Sequence, residues 1–375
     1  MRLALPLPFL ALLSTGCSLF TGLAVDPVAT TAHRPSNVGA YVAVRDGEQP
    51  LDELSPANFT VYENDQLVPS EQSQLTLLDR NLVAAHQLVL LLDMSQAGAQ
   101  AARTQMAKSA LGFLQKVTPH QPVTVFAFDG RPGLVQIAAI ARGGPTPSMA
   151  AIEGFQPRDS SRNLNGAILA GLDKLNAALT QSGKPIRVGT LVVFATGPDV
   201  AGRESADKTH DLVWSSPHDV VGIGIGLGEE NDQLESLSRG GFVRAQAKDT
   251  LPIAFEEAAD KLRAELEKHY LVSYCSPARA GERRLRLEVR YTTKEGAERK
   301  GDFEYDFSAK GFGPGCNSSN TPRFTYKPKA MPKPESEIPP AKPGSNAPEK
   351  RKPPVEEREP EDAPVAPPDS PGYAK

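Results

Sequence analysis

The sequence predicts an α/β protein in which a doubly wound, mostly parallel sheet is flanked in the chain by a small antiparallel β-domain. Three observations predict it. Between Gln87 and His269, runs that are apolar at nearly every position, namely Leu88–Leu92, Val123–Phe128, Leu191–Phe194 and Val220–Ile225, alternate with stretches of helical period, the pattern of a sheet covered on both faces. Before and after that block, apolar and polar residues alternate at a period of two, the mark of half-buried strands. With 39% hydrophobic residues in 375, the chain has apolar material for at least one substantial core, while a net charge of −4 provides no field to gather nucleic acid or an anionic membrane surface.

Taken in chain order, Arg2 is followed by the apolar run Leu3–Leu13, too short to span a bilayer, and then by Ser14-Thr15-Gly16-Cys17. This resembles a lipoprotein signal, in which the cysteine is diacylated and becomes the first mature residue, although Ser14 stands where Leu is usual. The resemblance implies a signal and lipidation site over 1–17, an N-terminal lipid anchor, and a place in the cell envelope, at the outer membrane first. Cleavage after Gly22-Leu23-Ala24, giving a secreted or periplasmic protein, is the alternative. Residues 18–37, polar and aperiodic from Asp26 onward, read as a tether.

Over 38–86, Val38, Ala40, Val42 and Val44 alternate with smaller or polar neighbours, Phe59-Thr-Val-Tyr62 repeats the pattern after a turn-rich stretch, and Gln74–Leu78 adds a further strand. Within 87–269, Leu134–Ile140 is expected to be the antiparallel edge of the parallel sheet. Met106, Ala110, Phe113, Leu114 and Val117 share one helical face, as do Leu164, Ile168, Leu172, Leu175 and Leu179, and a last helix buries Leu251, Phe255, Ala258, Leu262 and Leu266. Over 270–316 the period of two returns, with Leu271–Tyr274, then Leu285, Leu287, Val289 and Tyr291 against a wet face of Arg286, Glu288 and Arg290, then Phe303, Tyr305 and Phe307. The order β, α/β, β suggests one composite β-domain with the α/β module inserted. Residues 317–375 are predicted to be disordered, since 15 of the chain's 34 prolines lie in 321–375; a partner-binding tail is the second reading.

With Cys17 set aside, Cys275 and Cys316 are an even pair in an exported chain and are expected to form a disulfide, two separate buried thiols being the alternative.

Several segments of the module carry a family signature. Leu90-Leu-Leu-Asp93-Met-Ser95-Gln-Ala97 is an apolar strand running through Asp and Ser toward a helix. Ser161-Arg162-Asn163-Leu164-Asn165-Gly-Ala167-Ile168 follows, then Val193-Phe194-Ala195-Thr196-Gly197-Pro198-Asp199, then Val221-Gly-Ile-Gly224-Ile-Gly226 with Gly240-Gly241-Phe242. In order and spacing these resemble the von Willebrand factor A (vWA) domain over Gln87–His269, about half of the chain. In that family the loops hold Mg²⁺ or Mn²⁺ through oxygen ligands. The resemblance implies a degenerate metal site here: Asp93 and Ser95 remain, but Ala97 stands at the second serine position, Arg162 at the threonine and Gly197 at the distal aspartate. Alanine and glycine bring no ligand atom, and a guanidinium repels a divalent ion while satisfying the same carboxylate. Arg162 is therefore expected to pair with Asp93, leaving no cofactor. Residual Mg²⁺ binding, with a one-residue shift bringing in Asp159, Ser160, Ser161 or Asp199, is the alternative, and a plain helix cap by Asp93 and Ser95 is a third reading.

Other signals carry less. The run Gly222-x-Gly224-x-Gly226-x-Gly228 has the wrong spacing for a dinucleotide loop. His210-Asp211 and His218-Asp219 lack a metal-binding spacing. The sequons Asn58-Phe-Thr60 and Asn317-Ser-Ser319 carry no meaning in a bacterial lipoprotein. No nucleophile–base motif is present, so an enzyme is not expected. The expected function is a metal-independent protein-binding or scaffolding module of the cell envelope. The alternatives are a Mg²⁺- or Mn²⁺-dependent adhesion domain and a structural protein acting through its proline-rich tail.

Overall fold

The computed structural model describes residues 22–325, apart from Gly98 and Leu227. The chain opens with β1 (Leu23–His33), β2 (Asn37–Asp46), β3 (Gln49–Pro50), β4 (Phe59–Glu63), β5 (Gln66–Leu67), α1 (Ser70–Ser73) and β6 (Thr76–Leu78). The module follows as β7 (Ala84–Asp93), α2 (Gln100–Val117), β8 (Val123–Phe128), β9 (Val135–Ile140), α3 (Met149–Glu153), α4 (Leu164–Gln181), β10 (Ile186–Ala195), α5 (Ala206–Ser215), β11 (Asp219–Ile225), α6 (Asp232–Leu237), β12 (Phe242–Ala245) and α7 (Leu251–Glu267). It closes with β13 (His269–Cys275), β14 (Glu282–Thr292) and β15 (Glu298–Ser308).

The module sheet has the order β12-β11-β10-β7-β8-β9. Every neighbouring pair is parallel except β8 with β9, which makes Val135–Ile140 the antiparallel edge. Both faces are covered, which is why β7 reads as continuously apolar. Leu88, Leu90 and Leu92 pack with α2 and α7, while Val89 and Leu91 pack with α4. These residues are at most 2% exposed, so each contributes roughly 1.5–3 kcal/mol by leaving water.

The flanking strands share two further sheets. One has the order β1-β2-β13-β6 with β3 on β2, the other β15-β14-β4-β5. In each, a strand from after the module lies between strands from before it or beside them, so the module is inserted into a β-sandwich. Val38, Val42 and Val44 of β2 and Val272 of β13 face Leu285, Leu287 and Val289 of β14 and Phe303 and Phe307 of β15 across a single core.

Three expectations are corrected by this arrangement. The segment 18–37 is not a tether over its described part: Leu23–His33 pairs with β2 from Leu23↔Asp46 to His33↔Asn37, because strand pairing satisfies a backbone whose side chains show no period. On the outer face of β14, Glu288 is only 1% exposed, covered by Arg286, Arg290 and Lys300 rather than by water. Order also continues past Cys316. A disulfide joins Cys316 to Cys275, Asn37 Nδ2 donates to the Asn317 carbonyl at 2.8 Å, Ser318 Oγ donates to the Gln74 carbonyl, and Thr31 Oγ1 donates to the Arg323 carbonyl at 2.6 Å. This strap crosses the outer face of the β1-β2-β13-β6 sheet. It lies so close that a Cβ added at Gly39 would meet Pro322 at 2.5 Å, and it packs Phe324 beside Tyr41, Val83, Ala84, Ile186 and Leu271 at the module's base. The proposed lipidation site Cys17 and residues 326–375 lie outside the described residues. No helix among the described residues is long and apolar enough to cross a membrane.

Candidate functional site

Numbered within the module, the sheet order is 3-2-1-4-5-6. In such sheets the crevice opens at the carboxyl ends of the first and fourth strands, where successive connections leave in opposite directions. Here those strands are β7 and β10, and the residues at their ends are Asp93 and Thr196.

The Asp93 carboxylate folds its own loop. Its Oδ1 accepts from the Ser95 amide at 3.0 Å and from Ser95 Oγ at 2.6 Å, a local turn that competes with helix. Helix α2 starts only at Gln100, with Ala99 at its cap and no side-chain cap bond, so Asp93 and Ser95 do not cap it. The other oxygen, Oδ2, accepts from the Thr196 amide at 2.9 Å, from Thr196 Oγ1 at 2.7 Å and from Arg162 Nε at 2.6 Å. Arg162 comes from the loop before α4, and its two remaining nitrogens are also committed: Nη1 donates to the Pro198 carbonyl at 2.9 Å and Nη2 to Thr196 Oγ1 at 2.6 Å. The Asp93 and Arg162 side chains are 0% and 7% exposed. A buried ion pair of this kind is tolerated only when the remaining donors and acceptors are satisfied as well, and Thr196 does this by bridging the two charges.

The structure thus brings Asp93, Ser95, Arg162 and Gly197 together. Gly197 has φ +156°, and a Cβ built on it would meet Arg162 Nη1 at 2.9 Å; the missing side chain at 197 is the space that the guanidinium fills. Ala97 does not face this group. It is 5% exposed and packs into the apolar core with Met94 and Met106. The guanidinium engages Asp93 through Nε alone, not as a two-pronged fork, because Thr196 and Pro198 take the other prongs.

A divalent cation does not fit this arrangement. It would need several oxygens at roughly 2.0–2.6 Å, but Asp93 Oδ2 already takes three donors and an N–H points at it from the nearest side. The shifted candidates serve the loops instead. Asp159 Oδ1 accepts from the Ser161 amide and hydroxyl at 2.9 and 2.7 Å, and Asp199 Oδ2 accepts from the Asn165 amide at the start of α4 at 2.9 Å. The Ser160 carbonyl accepts from Gln96 Nε2 at 3.1 Å, tying the first loop to the second. Among the described residues, no three His, Cys, Asp or Glu side chains are arranged to hold a metal. His210 and Asp211 are exposed on α5, whereas His218 is buried against Asn176 at 2.8 Å.

Sequence reasoning missed Thr196 as the bridging hydroxyl and Asp129 altogether. Asp129 follows β8 as Asp93 ends β7, and the same signal, an aspartate closing an apolar strand, could have found it. Burial pushes its carboxyl up, but the hydrogen bonds from Arg131 and the Arg158 amide outweigh that and hold it below the usual carboxylate range.

Fold and site together define a doubly wound α/β protein whose strand-end crevice is closed by an internal ion pair. No protein-family model matches the chain, and no curated protein matches it. Among solved structures, it is similar to a von Willebrand factor type A protein from Catenulispora acidiphila at 10% identity and TM-score 0.39, covering 76% of this chain and 72% of that one. It is also similar to proximal thread matrix protein 1 from the mussel byssus at 15% identity and TM-score 0.37, covering 54% of this chain and 50% of that one. The VWA domain of SpRpn10 is similar at 13% identity and TM-score 0.33, covering 45% of this chain and 93% of that one.

Proposed function

We propose that the protein is an anchored cell-envelope module that binds a protein partner without a divalent cation, through the loops around the crevice. The observation that carries this reading is the Arg162 guanidinium, which stands beside Asp93 with all three of its nitrogens engaged inside the protein. A cation site is open and filled by the ion and its ligand; this one is closed and needs neither to hold its loops. The loop after β10 is tied back by the Val200 and Ala201 amides, which donate to the Arg162 carbonyl at 2.9 and 3.0 Å. It leaves Val200 65% exposed as an apolar contact on a pre-set surface. The envelope placement rests on the signal-like first 17 residues, and the reading as a binding protein rather than an enzyme rests on the absence of a nucleophile–base motif from the sequence.

The test is cross-linking in intact envelopes followed by mass spectrometry, repeated with a chelator. A partner recovered equally under both conditions and lost on Val200→Asp supports the proposal. Micromolar Mg²⁺ or Mn²⁺ binding by calorimetry that disappears in Asp93→Ala overturns it. Deleting 326–375 separates the module from the tail, since a partner lost with the tail alone belongs to the tail.

A further inference from the structure

The opposite end of the module, where it joins the sandwich, holds a cluster that the crevice does not use. The chain crosses between the two parts twice, once from β6 into β7 and once from α7 into β13, and each crossing carries a histidine. His86 is the third residue of β7 and His269 the first of β13. Their ring centroids are 5.5 Å apart, edge to face. Tyr41 of β2 stacks on His269 at 5.5 Å and shares a 2.6 Å hydrogen bond between its Oη and His86 Nε2. Tyr41 is 0% and His86 4% exposed.

No carboxylate among the described residues hydrogen-bonds either imidazole. From the first crossing the Arg80 charge acts on both rings and on Tyr41, and the Asp79 charge on Tyr41; from the end of α7 come the Lys268 charge, the Glu265 backbone and the Leu266 carbonyl, which accepts from His269 Nδ1 at 3.2 Å. Beside the rings lies a cleft of about 1030 Å³ between β1 and the start of β10, lined by both histidines, by Arg45, Arg187 and His218, and by the carboxylates Asp26, Asp219, Glu265 and Glu304. It gives water and protons a way in. The apolar contact at the joint comprises Tyr41, Val83, Ala84, Ile186 and Leu271, with Ala29, Leu78, Val188 and Phe324 packed against them, while module and sandwich each have a larger core of their own.

We infer that this joint is a proton-operated latch: uncharged His86 and His269 rings hold the module on the sandwich, and protonating them releases it while both parts keep their folds. Burial, with His269 and Arg80 nearby, holds His86 well below the usual imidazole range, and burial pushes His269 down to about 4. Burial also pushes the Tyr41 hydroxyl up, so it keeps its proton throughout. A released ring in water returns to a value near 6.5 and binds protons more readily than a latched one. Release is therefore favoured as pH falls below about 6.5, by up to about 10-fold per ring and about 100-fold for both with each pH unit.

The experiment is small-angle X-ray scattering with hydrogen exchange on the whole protein from pH 7.5 to 4.5, alongside histidine ring titration by NMR. The expected result is that the radius of gyration rises as pH falls, while amides of 84–93, 186–195 and 270–274, which pair inside the module sheet or inside the sandwich, keep their protection. His86→Gln and His269→Gln should each reduce the pH dependence by about half in logarithmic terms, and the wild-type titration needs no variant to fold. A radius of gyration that stays level down to pH 4.5, a loss of protection inside either part, or a pH dependence in both variants as steep as the wild type's overturns the latch.

Discussion

The two ends of the module sheet bury titratable groups in opposite ways. At the carboxyl end, Asp93 is charged and matched, with Arg162 at 2.6 Å and Thr196 bridging both. At the amino end, His86 and His269 are uncharged and unmatched, held by a tyrosine, each other and burial. A matched pair fails badly when one partner is removed. Unmatched rings tolerate removal but respond to protons. The contrast assigns rigidity to the crevice and responsiveness to the joint.

The largest effect expected is at the crevice. Arg162→Leu leaves Asp93 buried without its counter-charge and should cost about 3–5 kcal/mol by chemical denaturation. Adding Asp93→Ala to it should cost clearly less than the sum of the two single changes; strict additivity would mean that the two charges do not act as a pair. Next comes the strap. Cys316→Ser removes a cross-link spanning 41 residues and should cost about 2–4 kcal/mol, with added exchange at 83–86, where Phe324 packs, if the strap braces the joint. An unchanged joint would confine the disulfide's role to the sandwich.

The pH effect follows in size. The folded value of His269 is about 4, below its unfolded value near 6.5, so its contribution is complete above pH 6.5 and is lost as pH falls toward 4. The change is at most about 3 kcal/mol, read as a fall in denaturation midpoint between pH 7 and 4.5. A flat profile there would remove the contrast between the two ends. The smallest effect expected is from Gly197→Ala, where positive φ and the 2.9 Å approach of Arg162 Nη1 should cost about 1–2 kcal/mol. Part of that cost should vanish in the Arg162→Leu background, where the crowding guanidinium is gone.

Much of this was legible in the residues. The apolar runs of β7, β8, β10 and β11 marked a covered parallel sheet, and the pairing of Asp93 with Arg162 was expected only through the vWA resemblance, which set Arg162 against a ligand position. Other features were not. Leu23–His33 has a tether-like composition and becomes a strand only because β2 offers it a partner. The strap begins a proline-rich tail that composition alone marks as disordered, and the disulfide, Thr31 and Asn37 fix its first residues. Ala97 looked like a missing ligand because strings of residues do not show which side of a turn faces inward.

The sequence by itself determined the local periods, the order of the elements and the identity of the groups at the strand ends, since each depends on neighbours within a few positions. The tertiary structure decided which distant groups meet. Thr196 between Asp93 and Arg162, and Tyr41 between His86 and His269, are contacts across 103 and 45 residues. A hydrogen bond at 2.6–2.7 Å depends on where folded strands end, which no local pattern encodes.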